Sequence, residues 1–339
     1  MSPPASRAGF IRGTARIMSE ENSGKVEWSE KHWKEMLVKQ RVFLWLDDTL
    51  DKLADWIGLE PGMTAIDAGC GLGYLGYTFW KYIGKNGRYF GVDMSSQLLQ
   101  DARAGAAEWA KGGETHFMTG DVYRLPFPDN FADIVMCQTL LMHLKEPREA
   151  LAEMLRMARP GAPIVCNEPD NLSSMLMNDY SSMPEPEIEE KLLFSKVAII
   201  CNEGRIKLGR GDLRIGARVP LLMSKLGMTD IETRLNDRVY FAQPPYDSPA
   251  QQYHLKEVRE QLEKENTPEG EEKREFFRSR LREEFQAGGG DPKDFERFEA
   301  ITDKRIAEHT PMKLQQIENN EYYFCHGVMF YIIRGRKPL

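Results

Sequence analysis

Thr64-Ala-Ile-Asp-Ala-Gly-Cys-Gly-Leu-Gly-Tyr-Leu-Gly76 is the stretch that decides the fold. A short apolar segment, carrying the lone carboxylate Asp67, runs into a loop with glycine at every second position. Glycines at 69, 71 and 73 let the backbone approach a ligand closely and turn sharply into a helix whose N-terminal amides face that ligand. A second acid, Asp93, ends the next apolar run, Arg88-Tyr-Phe-Gly-Val-Asp93, and lies 20 residues beyond Gly73. That separation suits a carboxylate that bonds a ribose hydroxyl. The front of the chain therefore reads as the site of a nucleoside-containing cofactor.

Gly71, Gly73 and Gly76 also satisfy G-x-G-x-x-G, so an NAD-binding half has to be weighed. The spacing argues otherwise: the glycines alternate and follow an acid within the strand end, whereas a dinucleotide fingerprint needs only its three glycines around the pyrophosphate. A third acid follows a third short strand in Thr115-His-Phe-Met-Thr-Gly-Asp121. Further along come Leu125-Pro-Phe-Pro128, Phe131-Ala-Asp-Ile-Val135 and Leu155-Arg-Met-Ala-Arg-Pro-Gly161. In this order, over about residues 60 to 170, the segments resemble the class I S-adenosylmethionine-dependent methyltransferases, close to the small-molecule branch of the ubiquinone/menaquinone methyltransferases. The resemblance implies an α/β fold: a Rossmann-like, doubly wound seven-stranded sheet, six strands parallel and the last antiparallel, with helical insertions.

It also assigns roles. S-adenosylmethionine would be the cofactor and S-adenosylhomocysteine the product. Asp67 and the backbone of Gly69, Gly71 and Gly73 would hold the amino acid end. Asp93 would accept the ribose hydroxyls, since a carboxylate offers two oxygens. Met94 would pack on adenine, Asp121 would accept from its amino group, and Val122 would lie on the ring face. Gln138, ending the fourth strand, would lie beside the transferred methyl. His143 and Glu168 follow or end the fourth and fifth strands, whose carboxyl ends line the ligand crevice of such a sheet. A histidine beside a carboxylate is a ready general base, and some sugar and natural-product O-methyltransferases use a His and an acid from these two places. The bland alternative for Glu168 is a supporting partner of another group.

Composition narrows the partners. A net charge of −7 in 339 residues argues against phosphate neutralisation as a binding mode, so no nucleic acid partner is expected. No apolar run of 18 residues exists to span a membrane. Five scattered cysteines without a C-x-x-C read as buried thiols of a reducing, cytoplasmic setting. No set of clustered carboxylates suggests a metal.

Along the chain, 1–20 reads as a leader and 21–60 as a helical cap, with a capped amphipathic helix over 30–57. Trp28, Phe43 and Trp45 read as core there, and Trp33 is the candidate aromatic contact for substrate. The cofactor-binding core covers 61–169, with strands near 63–68, 88–93, 115–118, 132–138 and 162–168. Segment 170–211 is a substrate-side insertion, 212–244 returns to the core, and 321–339 supplies the last strand. The sixth and seventh strands are predicted over 229–241 and 322–333 as an antiparallel pair. Between them, 245–320 is longer than a structureless loop allows; it reads as charged helices broken at Gly288-Gly-Gly290, serving as a lid or a homodimer surface. Gln243-Pro-Pro-Tyr246 reads as a turn. Arg205, Lys207, Arg210, Arg214 and Arg218 form a basic run, in which Arg214 and Arg218 are candidates for a carboxylate or phosphate on the acceptor; solvated charge is the simpler account.

The leading expectation is transfer of a methyl group to oxygen or carbon of a small, partly apolar metabolite with a His/Glu general base. The alternatives are a cofactor-binding module, or a protein or RNA methyltransferase that grips its partner through 245–320.

Overall fold

The computed structural model describes Trp45 and residues 47–176, 180–237 and 239–339. The chain divides into two units: one holds the described residues up to Pro169 with Ile215–Asp237 and Phe330–Leu339, the other Asp170–Arg214 with Arg238–Met329.

In the first unit α1 (Asp47–Ile57) buries Leu50, Leu53, Ala54 and Ile57, the 3–4 spacing of an amphipathic helix. The rest of the predicted 30–57 helix lies outside the described residues, apart from Trp45, whose ring packs edge-on against Phe79 with centroids 6.0 Å apart. Next come β1 (Thr64–Ala68), α2 (Tyr74–Ile83), β2 (Arg88–Asp93), α3 (Ser96–Trp109), β3 (Glu114–Thr119), β4 (Ile134–Gln138), α4 (Pro147–Met157) and β5 (Pro163–Pro169). All residues of β1, β4 and β5 are buried, as expected of strands covered on both faces. Ser95 caps α3 by accepting from the Leu98 N–H at 3.3 Å, an arrangement worth about 1 kcal/mol.

The chain then enters the second unit with α5 (Asn171–Leu176), β6 (Tyr180–Ser181) and α6 (Ile188–Lys207). It returns for α7 (Ile215–Lys225) and β7 (Thr229–Leu235), and leaves again for β8 (Val239–Ala242), α8 (Pro249–Glu265), α9 (Pro268–Gly288), α10 (Pro292–Glu318) and β9 (Phe324–Gly327). The last strand, β10 (Phe330–Arg336), closes the first unit.

The large sheet has the order β3-β2-β1-β4-β5-β10-β7. Its first five strands are parallel, and β10 runs antiparallel to both β5 and β7. The expected sheet, with only its last strand reversed, is what forms. Strand order reverses between β1 and β4, the switch point where ligands of such sheets bind.

The predicted strands 229–241 and 322–333 each turn out to be two strands in two sheets. Their first and second halves part at Asn236 and at Met329. In the first unit, Asn236 clamps Phe330 by donating its N–H to the Phe330 carbonyl at 2.8 Å and accepting the Phe330 N–H on Oδ1 at 3.0 Å. In the second unit, the Met329 carbonyl accepts from the Asp170 N–H at 2.9 Å and the Met329 N–H goes to Ser174 Oγ at 2.9 Å. Consecutive residues thus spend their backbone groups on different neighbours, and the ladder stops.

The second unit has its own antiparallel sheet, β6-β9-β8. Its helical part is built on α6 against α9. A Cβ at Gly204 would lie 1.6 Å from the Glu284 carbonyl oxygen, and one at Gly288 would lie 2.1 Å from that of Ile200. Hydrogen at both positions is what lets these helices meet so closely. Leu193, Val197, Cys201, Phe285 and Phe295 form the core beside this crossing. Gly289, at φ 87°, ends α9 where the sequence predicted a break. Gln243-Pro-Pro-Tyr246 is a turn, closed by the Tyr246 N–H on the Gln243 carbonyl at 2.9 Å.

Candidate active site

The loop after β1 has the left-handed backbone that its glycines foretold: φ is 68° at Gly69, 52° at Gly71 and 75° at Gly73. A Cβ on Gly69 would also lie 2.6 Å from Leu140 Cδ1, so the loop after β4 rests directly on this glycine. Gly73 is the N-cap of α2 and brings no side-chain cap, while the Tyr89 hydroxyl takes the Gly76 N–H in the helix's first turn. With glycine at the N-cap, the positive end of the helix faces the loop without a capping side chain of its own.

Asp93 fixes the loop from the neighbouring strand. Its Oδ2 accepts the Gly71 N–H and its Oδ1 the Ser95 N–H, both at 2.9 Å. Asp67 is 1% exposed and accepts the Tyr89 hydroxyl at 2.5 Å. Burial, followed by the charge of Asp67, pushes the Tyr89 hydroxyl pKa well up and keeps it a donor. Tyr89 is a site residue that the sequence reading missed; an aromatic hydroxyl in a buried strand was the available signal. At the far end of the row, Met94 is 66% exposed, Val122 is buried, and Asp121 sits exposed in a turn where its Oδ1 accepts the Tyr123 N–H at 3.0 Å.

The ends of β4 and β5 hold the remaining candidates. Glu168 is fully buried and its oxygens accept the N–H groups of Leu140, Leu141 and Met142 at 2.9, 2.9 and 3.2 Å; the Cys137 thiol lies 3.8 Å away. This carboxylate ties down the turn Leu141–His143, on which the half-buried His143 sits. The sequence placed Glu168 next to His143 as half of a general base; in the structure its oxygens are engaged by the three backbone amides of that turn. Burial raises its carboxyl to about 7, against the pull of the three amides.

On the opposite face of the same strands, Gln138 and Asn167 are register partners. They are 3% and 0% exposed, and among the described residues none of their four side-chain amide atoms has a hydrogen-bond partner. Leaving such groups buried and unpaired costs on the order of 1–3 kcal/mol each. Gln138 was foreseen, whereas Asn167 was not; its signal was a polar residue inside an otherwise apolar central strand.

Arg214, in the second unit, pairs with Glu203 at 3.1 Å and lies 3.6 Å from Asp212. Arg218 is an exposed residue of α7 in the first unit. Trp33 lies outside the described residues. Arg205 and Arg210 face Glu284 at 3.3 and 3.7 Å, which is ion pairing within the second unit. Among the described residues, no group of three or more His, Cys, Asp or Glu side chains is placed to hold a metal.

A family model described as a methyltransferase domain matches residues 59–207. The chain carries a class I S-adenosylmethionine-dependent methyltransferase domain. An uncharacterized methyltransferase of Schizosaccharomyces pombe is 38% identical over 114 residues, covering 32% of this chain and 41% of that protein. An uncharacterized protein in transposon TN4556 of Streptomyces fradiae is 35% identical over 171 residues, covering 50% and 48%. A ubiquinone/menaquinone biosynthesis C-methyltransferase of Roseobacter denitrificans is 25% identical over 162 residues, covering 48% and 60%. The chain thus spans roughly half the length of these relatives. A SAM-dependent methyltransferase structure from Aquifex aeolicus covers 58% of this chain and 84% of its own at 21% identity and a TM-score of 0.38, too slight a likeness to add to the topology. No helix among the described residues is long and apolar enough to cross a membrane.

Proposed function

We propose that the protein is an S-adenosylmethionine-dependent methyltransferase acting on oxygen or carbon of a small, partly apolar acceptor. The observation that carries this reading is the closed glycine loop: three left-handed glycines lead to the N-terminus of α2, whose N-cap is itself a glycine, and Asp93 fixes the middle of the loop through the Gly71 N–H. These residues fit the cofactor's polar ends. The N-terminal amides of α2 and Asp67 would hold its amino acid end, Asp93 its ribose, and Met94, Asp121 and Val122 its adenine. When bound, the cofactor supplies a methyl group activated by a sulfonium.

Methyl transfer asks the protein mainly for positioning, which can account for much of the barrier reduction. Here Glu168 sets the turn after β4, Leu140 seats that turn on Gly69, and His143 takes the acceptor's proton. Resemblance to the Roseobacter C-methyltransferase and the acidic net charge support a small metabolite over a nucleic acid. Calorimetry and thermal unfolding with S-adenosylhomocysteine and with NAD test the reading. At about 100 times its Kd a ligand stabilises the fold by roughly 2.7 kcal/mol. S-adenosylhomocysteine raises the Tm on this account and NAD does not; the reverse would return the loop to a dinucleotide.

A further inference from the structure

We propose that Gln138 and Asn167 form a paired amide contact for a neutral hydroxyl or carbonyl group of the methyl acceptor. The proposal rests on the methyltransferase reading and deepens it to a substrate class. Two side-chain amides of adjacent strands share a face at the same register, near the carboxyl ends of β4 and β5. Both are buried, and neither side-chain amide finds a hydrogen-bond partner among the described residues. A fold rarely buries four hydrogen-bonding atoms without satisfying them, so a ligand is the natural partner.

Strand order says which ligand. The residues that fit the cofactor sit on or after β1, β2 and β3, on one side of the switch point between β1 and β4. Asn167 is on β5, two strand spacings beyond β1, or about 10 Å away on the other side. That half of the crevice is where the acceptor has to approach.

The chemistry of the pair says what it takes. An amide both donates and accepts, and carries no charge, so two of them match a neutral hydroxyl or carbonyl. Their surroundings on that face are apolar: Met136 and Val165 lie two residues before them, and Ile332 is the register partner of Asn167 on β10, all buried. The arginines of that face stand on β10 and β7: Arg334 is bound to the Trp56 carbonyl and to Glu232, Arg336 to the Gly161 carbonyl, and Arg234, the register partner of Ile332, stacks on the Trp56 ring at 4.6 Å. An anion would have to draw one of these guanidiniums from its present partner, and a cation would have to compete with the Tyr89 hydroxyl for Asp67 on the same face; a neutral polar group needs neither.

The test uses Asn167→Leu and Gln138→Met, near-isosteric changes that remove the orphaned atoms. Thermal unfolding is followed together with calorimetric S-adenosylhomocysteine binding. Saturation-transfer NMR uses benzamide and phenol as neutral probes and benzoate as the anionic one, with S-adenosylhomocysteine present and absent. The expected result is a Tm equal to or above that of the parent, since buried unpaired groups are removed. S-adenosylhomocysteine affinity should be unchanged, and benzamide binding should weaken by about tenfold in each variant, with benzoate weaker than benzamide throughout. A lower Tm in both variants would mean the amides hold the fold, and weakened S-adenosylhomocysteine would assign them to the cofactor; either overturns the proposal. Neutral probes that do not bind, or that bind no better than benzoate, overturn it as well. A parent protein that binds the neutral probes as described but not S-adenosylhomocysteine would keep the amide site and remove the methyltransferase reading.

Discussion

Glu168→Gln separates the buried carboxylate's charge from its shape. Burial raises the Glu168 carboxyl to about 7 from an ordinary 4.5, despite the Leu141, Leu140 and Met142 amides that favour the charged form. The folded protein therefore keeps this proton up to about pH 7, while the unfolded chain releases it near 4.5. A carboxyl raised in this way contributes stability that is full below 4.5 and is lost as the pH climbs through 7. The interval is 7 − 4.5, or 2.5 units, and at about 1.4 kcal/mol per unit it amounts to roughly 3 kcal/mol. Glutamine has no proton to release, so the variant lacks this slope. It also keeps one acceptor oxygen and turns an NH2 toward the third amide, a pH-independent cost of about 1–3 kcal/mol. Urea unfolding of both proteins between pH 4.5 and 8, analysed by linear extrapolation, reads the difference. The parent's advantage over the variant is expected to shrink by roughly 3 kcal/mol between pH 4.5 and 7 and to level off above. An advantage that stays constant, or grows with pH, would refute the claim that burial dominates at Glu168.

Gly69→Ala should destabilise the fold by about 1–2 kcal/mol, because φ is 68° there and the new Cβ meets Leu140 at 2.6 Å; unfolding curves show it, with S-adenosylhomocysteine binding weakened in parallel. Asp93→Asn replaces charge-assisted bonds to the Gly71 and Ser95 amides. Calorimetry should record a loss of S-adenosylhomocysteine affinity of about tenfold to a hundredfold. His143→Ala should lower the transfer rate by about 10²–10⁴ while leaving S-adenosylhomocysteine binding intact, as measured by initial rates and calorimetry. Glu284→Gln would remove the charge shared by Arg205, Arg280 and Arg210, whose guanidinium nitrogens lie 3.3, 3.4 and 3.7 Å from its carboxylate. A stability loss of about 3–5 kcal/mol, seen as a drop in the urea midpoint, is expected for that buried pair.

How much of this could be read from residues differs by element. The loop 69–73 was legible because alternating glycines between a strand and a helix have few other uses, and their positive φ values follow from that geometry. Strands β1 to β5 were legible because fully buried parallel strands are continuous apolar runs. The runs 229–241 and 322–333 misled because β-propensity marks an extended segment but not its partner. Only the clamp of Asn236 on Phe330, and the bonds of Met329 to Asp170 and Ser174, show where each run changes sheet. Within the candidate site, the place of Asp93 at the end of β2, beside the glycine loop, could be read from spacing. The role of Glu168 could not, because its partners are backbone amides 26 to 28 residues earlier, which no side-chain pattern encodes. Asn167 was hidden for a related reason: what distinguishes it is the absence of a partner, a property of packing.

The most direct measurement incubates the protein with methyl-labelled S-adenosylmethionine and an extract of its source organism, then fractionates the label by size. The account predicts label in a small, extractable molecule, with transfer reduced in His143→Ala. Label confined to protein or RNA, or no transfer despite tight binding of S-adenosylhomocysteine, would contradict it.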